Sequence, residues 1–130
     1  MQLSTTSKYA IKILAFMSKD KSKKYSSKTL SDELNIPYKY LTRIMTKLSK
    51  HDLIASIQGK YGGFCITKEL SQIRVLDILI VFDDNHNKKC VLEDRDCNYE
   101  EKCILHDKWK EPKCAIDDFF TKTTLEDLQN

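Results

Sequence analysis

At 130 residues the chain has room for one domain, or for one small domain with an appendage. Its 41% apolar and 32% charged residues fit a water-soluble globular fold, and no apolar run approaches the roughly 18–20 residues of a membrane span. The formal charge of +3 conceals two unlike halves: residues 1–64 carry 12 Lys and Arg against 4 Asp and Glu, and residues 65–130 carry 10 against 15, so the halves stand at +8 and −5. That asymmetry predicts one surface that meets a polyanion and another that does not. The opening stretch "YAIKILAFM" is short, carries Lys12 and lacks a small-residue cleavage site, unlike a signal peptide. The expected location is therefore the cytoplasm, where five cysteines stay reduced and serve as ligands or redox thiols rather than as a disulfide framework.

In chain order, "SKYAIKILAFMSK" sets Ala10, Ile13, Leu14 and Met17 at helical spacing, with Thr5, Thr6 and Ser7 as candidate caps. "DKSKKYSS" reads as a polar, basic loop. "SKTLSDELN" predicts a short helix capped by Ser27, turned inward at Leu30 and Leu34 and ended by Asn35. Pro37 suits the first turn of the next helix, where its missing N–H is unpaired in any case. That helix, "PYKYLTRIMTKLSKHDL", turns Leu41, Ile44, Met45 and Leu48 inward and leaves Lys39, Thr42, Arg43 and Lys47 on the other side. It ends at His51, where a partly cationic imidazole suits the helix dipole.

Two short helices joined by a tight turn make a helix-turn-helix, whose second helix reads the major groove with side chains near its N-terminus. Here those are Tyr38, Lys39, Thr42 and Arg43, with Lys47 further along. Arg can bond guanine O6 and N7 together, and Lys can reach the same acceptors or phosphate. The β-rich arms "IASIQ" and "FCIT" then flank "GKYGG", which holds all three glycines of the chain. A hairpin directly after a recognition helix is a wing, and Gln58, Lys60 and Tyr61 at its tip are candidates for phosphate or minor-groove contact.

"SQIRVLDILIVFDD" predicts another helix with an apolar stripe of Leu76, Leu79 and Ile80. "DDNHNKKCVLEDRDCNYEE" then loses all periodicity, and so long a loop in a compact chain calls for a function or for disorder. Its segment "EDRDCNYEE" has too few apolar residues to pack by itself. Helix is expected again from near Cys103, with Trp109, Ala115, Ile116, Phe119, Phe120, Leu125 and Leu128 on an apolar face that a chain this short has little left to cover. A partner subunit would cover it, with Trp109, Ile116, Phe119 and Phe120 as candidate interface residues. A homodimer would also match a near-palindromic operator in double-stranded DNA. The expected fold is mainly α: a winged helix-turn-helix domain over residues 1–82, a cysteine-bearing loop over 83–102 and a dimerisation helix region over 103–130.

The spacing Cys90-x6-Cys97-x5-Cys103-x2-His106 carries the other chemistry. Thiolates are the usual iron–sulfur ligands, and an imidazole among them raises the potential and makes the site protonation-sensitive. Zn²⁺ accepts the same Cys3His set, and a thiol switch needs no metal. Cys103 and His106, three apart at a helix start, are expected on one face. Cys65 reads as a small buried hydrophobe, Cys114 as core or dimer interface, and His86 as a weak alternative ligand. No phosphate loop, nucleophile elbow or C-x-x-C is present, so the chain is not read as an enzyme. A small iron–sulfur electron-transfer protein is the reading from another class, and the basic half with its winged helix speaks against it.

In "MQLSTTSKYAI", "IPYKYLTRIMTKLSKHDLI", "GKYGGF", "KCILHDKW" and "TTLEDL" the sequence resembles the IscR/NsrR/CymR superfamily of bacterial winged helix-turn-helix regulators, the IscR branch most closely. The resemblance covers nearly the whole chain. It implies a homodimer with crossing C-terminal helices and a three-cysteine loop holding an iron–sulfur cluster. In the IscR type the fourth ligand is a His of the same chain, the place of His106. In the NsrR type it is an Asp of the partner near the N-terminus, where this chain has Lys8. The resemblance thus favours [2Fe–2S] over [4Fe–4S]. The first cysteine gap is one residue longer than the IscR type leads one to expect. Pro112 falls where that type has a continuous helix, Cys65 and Cys114 are additional, and the recognition segment is more basic.

Overall fold

The computed structural model describes residues 3–84 and 87–129. His86 lies outside the described residues. Helix α1 (Thr5–Met17) starts at Ser4, whose hydroxyl accepts the Ser7 N–H, so the cap is one residue ahead of the expected candidates. Helix α2 (Ser27–Leu34) is capped in the same way by Ser26 rather than Ser27 and ends at Asn35 in the left-handed conformation, φ 54°. Three residues, Asn35, Ile36 and Pro37, separate it from α3 (Tyr38–Lys50). Leu41, Ile44, Met45 and Leu48 of α3 are buried, as the period predicts, and meet Ala10, Ile13, Leu14 and Met17 of α1 and Leu30 of α2 in one core.

The wing is an antiparallel pair, β1 (Ala55–Ile57) and β2 (Gly63–Cys65), with Ala55 opposite Cys65, Ser56 opposite Phe64 and Ile57 opposite Gly63. Gly63 sits at φ +152°, and a Cβ there would approach the Tyr25 carbonyl oxygen to 3.0 Å. Tyr25 is why the space is closed. It exchanges both backbone hydrogen bonds with Phe64, each 2.8 Å, and so adds a third rung-bearing segment to the wing. The stretch expected to be a polar loop thus contributes a core residue, only 5% exposed, whose ring meets Phe16 edge-on at 5.7 Å.

Helix α4 spans Val75–Val81, shorter than expected, after a single 3-10 turn at Leu70–Gln72. Its inward residues are Val75, Ile78, Leu79 and Val81, while Ile80, expected in the stripe, is exposed. Helix α5 (His106–Lys122) begins three residues after Cys103, so the cysteine lies in the preceding turn, where its carbonyl accepts the His106 N–H at 3.1 Å. Pro112 does not break α5. The carbonyl it leaves without a helical donor, that of exposed Lys108, is open to water. None of α5's residues is buried. Beyond α5 the chain returns to the winged half: Thr123 and Leu125 bond Val75 and Ile73, and Leu125 is fully buried in the main core rather than on the apolar face of a terminal helix.

Candidate nucleic-acid interface and metal centre

The core contacts of α3 decide which of its side chains remain free. With Leu41, Ile44, Met45 and Leu48 inward, Tyr38, Lys39, Arg43 and Lys47 are exposed and Thr42 is half-buried. Thr42 donates its hydroxyl to the Lys39 carbonyl at 2.9 Å, and the Lys47 ammonium lies 5.5 Å from the centre of the Phe82 ring, just beyond α4. Tyr38, Lys39 and Arg43 are therefore the free groups at the N-terminal end of the helix, the end that meets base edges in this motif. The wing tip carries Gln58, Lys60 and Tyr61, all exposed, with Tyr61 at 80%. Gln58 bonds Ser56 at 3.3 Å, and Lys60 lies over the Tyr61 ring at 5.5 Å. Gly59, at φ +112°, allows the tip to turn, and a Cβ at Gly62 would lie 2.0 Å from the Ile57 carbonyl oxygen.

Tyr40, which the sequence reading passed over, ties α3 to α1. Its hydroxyl shares a hydrogen bond with Thr6, and its ring meets Tyr9 edge-on at 5.5 Å. The N-terminus of α1 is held in turn by Asp84, whose carboxylate accepts the Ser4 N–H at 3.1 Å. Leu3, Ser4 and Thr5 line a surface depression together with Lys89, Cys90, Glu93 and Asp94.

The cysteine segment is more ordered than its composition predicts. A bridge between Lys89 and Asp96 pinches it, with Cys90 N–H to Arg95 O at 2.8 Å and Cys97 N–H to Lys88 O at 2.7 Å. Arg95 pairs with Glu93 and reaches the Glu101 carbonyl at 2.6 Å. These polar bonds do what a hydrophobic core does elsewhere in the chain.

Cys90, Cys97, Cys103 and His106 line one cleft of about 40 Å³, walled by Tyr99 and Trp109 and approached by Lys110 and Lys113. Cys97 Sγ lies 3.4 Å from His106 Nδ1, and Tyr99 meets the imidazole edge-on at 5.0 Å. The Cys90 sulfur accepts the N–H groups of Glu93 at 3.3 Å and Leu92 at 3.4 Å, and these hold its thiol below the usual value. Burial pushes the Cys103 thiol up, partly offset by a backbone bond from Leu105. Among the described residues no three or more His, Cys, Asp or Glu side chains are gathered closely enough to hold a metal ion as they stand. Cys65 is half-buried in β2 and Cys114 is exposed on α5, both away from the cleft. Trp109, expected as an interface anchor, is half-buried in the cleft wall. Ile116 and Phe120 are half-buried, and Phe119 is 57% exposed with its ring edge-on to Phe120 at 5.6 Å.

A tight helix pair, an exposed basic end on the second helix and a hairpin beside it define a winged helix-turn-helix DNA-binding regulator. Among the described residues no helix is long and apolar enough to cross a membrane. The family described as Rrf2, iron-dependent transcriptional regulator, matches residues 3–130. The chain belongs to that family, whose members are transcriptional regulators and not enzymes. It is 34% identical to an HTH-type transcriptional regulator of Aquifex aeolicus, over all of this chain and 92% of that protein. It is 29% identical to CymR of Bacillus subtilis over 98% of this chain and 89% of that one, and 25% identical to IscR of Sodalis glossinidius over 76% of this chain and 60% of that protein. The solved structure of CymR, the global cysteine regulator of Bacillus subtilis, superposes with a TM-score of 0.82 at 25% identity, covering 99% of this chain and 96% of that one. The T. potens IscR structure superposes with a TM-score of 0.74 over 98% of this chain and 85% of that one; at 22% identity this shows the fold alone.

Proposed function

We propose that the chain acts as a homodimeric, sequence-specific transcriptional regulator whose DNA binding is controlled by an iron–sulfur cluster, of the [2Fe–2S] type. The observation that carries the proposal is the single cleft lined by Cys90, Cys97, Cys103 and His106. Three thiols and one imidazole are a soft donor set that suits iron–sulfur chemistry, and the imidazole binds only when neutral. The donors are not pre-gathered, yet they fit the group: all four face one small cleft, and Tyr99 and Trp109 limit the access of water. When bound, the cluster supplies a one-electron couple and a bond between the loop and α5.

The remaining work falls to the chain's own residues. Tyr38, Lys39, Thr42 and Arg43 read base edges, while Lys47, Gln58, Lys60 and Tyr61 steady the backbone of the duplex. Trp109, Ile116, Phe119 and Phe120 line the side of α5 on which a second copy packs. The cysteine loop abuts the N-terminus of α1, and α1 holds Tyr40 of the recognition helix, so the loop's geometry bears on where α3 sits. Loop ordering and DNA affinity are then linked, and coupling between such sites is typically about 1–3 kcal/mol.

Protein purified without oxygen should be coloured, with two irons and two sulfides per chain. It should bind duplex operators in a salt-dependent way, and with an affinity or operator preference that changes when the cluster is removed at fixed salt. Equal binding of every operator by loaded and cluster-free dimer would make the cluster structural. A second reading, a thiol-based regulator without a cluster, draws on the contact between the Cys90 and Cys103 thiols and on the near full-length likeness to CymR. A colourless, iron-free protein whose DNA binding responds to thiol oxidation would favour it.

A further inference from the structure

The four donors of the cleft do not meet at one point. They form two pairs. Cys97 Sγ lies 3.4 Å from His106 Nδ1. The thiols of Cys90 and Cys103 are in hydrogen-bonding contact with each other. Spacing along the chain suggests a different division, because Cys103 and His106 are three residues apart and would share a helix face if the helix reached back that far. It does not: α5 begins at His106, and Cys103 remains in the turn before it. The imidazole therefore meets the thiol that the Lys89–Asp96 pinch delivers from nine residues upstream.

This division bears on which metal centre the residues suit. A tetrahedral mononuclear ion draws all its ligands to one atom. A binuclear cluster takes them two to each metal atom, as when two His replace two Cys on one of two irons. Among the described residues no group of three or more donors converges, whereas the two pairs do.

Resting on the cluster reading above, we infer that Cys97 and His106 share one iron of a [2Fe–2S] centre and that Cys90 and Cys103 share the other. The Cys97 and His106 pair then offers its iron one thiolate and one neutral imidazole, and the Cys90 and Cys103 pair offers two thiolates. The first iron carries less negative charge and takes the added electron on reduction. Cys97 becomes a specificity-determining ligand: it alone of the three cysteines sets the environment of the reducible iron. Tyr99, edge-on to the imidazole at 5.0 Å, belongs to that same side of the centre.

The test uses the full chain loaded with ⁵⁷Fe without oxygen and reduced by one electron, read by Mössbauer spectroscopy, which separates ferrous from ferric iron. Cys97→Ser should shift the ferrous doublet and leave the ferric one in place. Cys90→Ser and Cys103→Ser should do the reverse. A ferrous doublet that moves in Cys103→Ser or Cys90→Ser, and not in Cys97→Ser, overturns the assignment. Where a Ser variant fails to hold its cluster, the pairing is read in the metal-free wild-type chain treated with diamide. Its N=N bond takes up the two electrons and two protons that two thiols give up as the S–S bond forms. Peptide mapping should find Cys90–Cys103 as the dominant bridge, and a dominant bridge through Cys97 overturns the pairing. A wild-type chain that takes up no iron and sulfide sinks the cluster reading itself and this assignment with it, whereas a wild-type cluster with the wrong doublet moved sinks only the assignment.

Discussion

The winged half and the segment from residue 87 to residue 124 hold their shape by different means. In the first, α1, α3 and α4 each bury four or more side chains, and the wing is tied to Tyr25 through two backbone bonds. In the second no residue is buried, although it contains α5, the longest helix among the described residues. Its order comes from Arg95, the Lys89–Asp96 bridge and the pairs of the cleft. A region held by burial is stable by itself, and one held by polar bonds and ligands opens at lower cost. The contrast explains why a signal would be received in the acidic part of the chain and delivered by the basic part.

The largest expected effect tests that contrast directly. Leu48 is fully buried, and Leu48→Ala should cost about 2–5 kcal/mol in chemical denaturation. Phe119 is 57% exposed, and Phe119→Ala should change the stability of the isolated chain by no more than about 0.5 kcal/mol. It should instead weaken self-association in sedimentation if α5 is the dimer face. Equal losses in denaturation would break the comparison. Next in size, Arg43→Ala should cost about 1–3 kcal/mol at a cognate operator and relax base preference, while Lys60→Ala should weaken binding evenly and lower the salt slope by about 1. Binding assays on cognate and random duplexes separate the two. An equal loss on random DNA for Arg43→Ala would reduce it to a phosphate contact.

Smaller still are the effects of the cysteines outside the cleft. Cys65→Ser and Cys114→Ser should leave iron content unchanged, since neither lines the cleft, whereas Cys97→Ser should lower it. Loss of iron in Cys65→Ser with the fold intact would move the metal centre into the wing.

The parts of this molecule that were legible in its sequence are those where local rules suffice. The period of Leu41, Ile44, Met45 and Leu48 fixed the inward face of α3, Asn35 marked the end of α2, and the glycines around Tyr61 marked the wing tip. What was not legible depends on distant partners or on choices between neighbours. Tyr25 pairs with Phe64 across 39 positions of chain, and nothing in "DKSKKYSS" announces a strand-like partner. The caps Ser4 and Ser26 lie in runs of Ser and Thr in which each residue has the same chemistry, so only the backbone chooses. Ile78 and Ile80 both occur in a seven-residue helix too short for its period to tell them apart. The cleft residues could be nominated from spacing, but the meeting of Cys97 with His106 could not, because it depends on where α5 begins.

The smallest effect concerns the joint between the two regions. Arg74 pairs with Thr124 in a β-bridge where the chain returns from α5, and the Asp77 carboxylate accepts the Arg74 backbone N–H at 2.9 Å and its guanidinium at 2.8 Å. Burial pushes the Asp77 carboxyl up. The side-chain and backbone hydrogen bonds from Arg74, with the charges of Arg74 and Lys68, more than offset it, so the group sits below its ordinary value of 3.8. A carboxyl whose folded value is depressed stabilises the fold above its unfolded value, and that contribution disappears as pH falls through the folded value. The wild-type chain should therefore gain stability from this pair at neutral pH and lose it below about pH 4. Asp77→Asn should be less stable than wild type near neutrality by about 0.2–1 kcal/mol, the scale of a partly exposed ion pair, and the gap should close in acid. Urea denaturation of both chains at neutral and acidic pH reads the difference. A gap that persists unchanged in acid would show that Asp77 acts through shape rather than charge. A gap that widens in acid would reverse the sign assigned here.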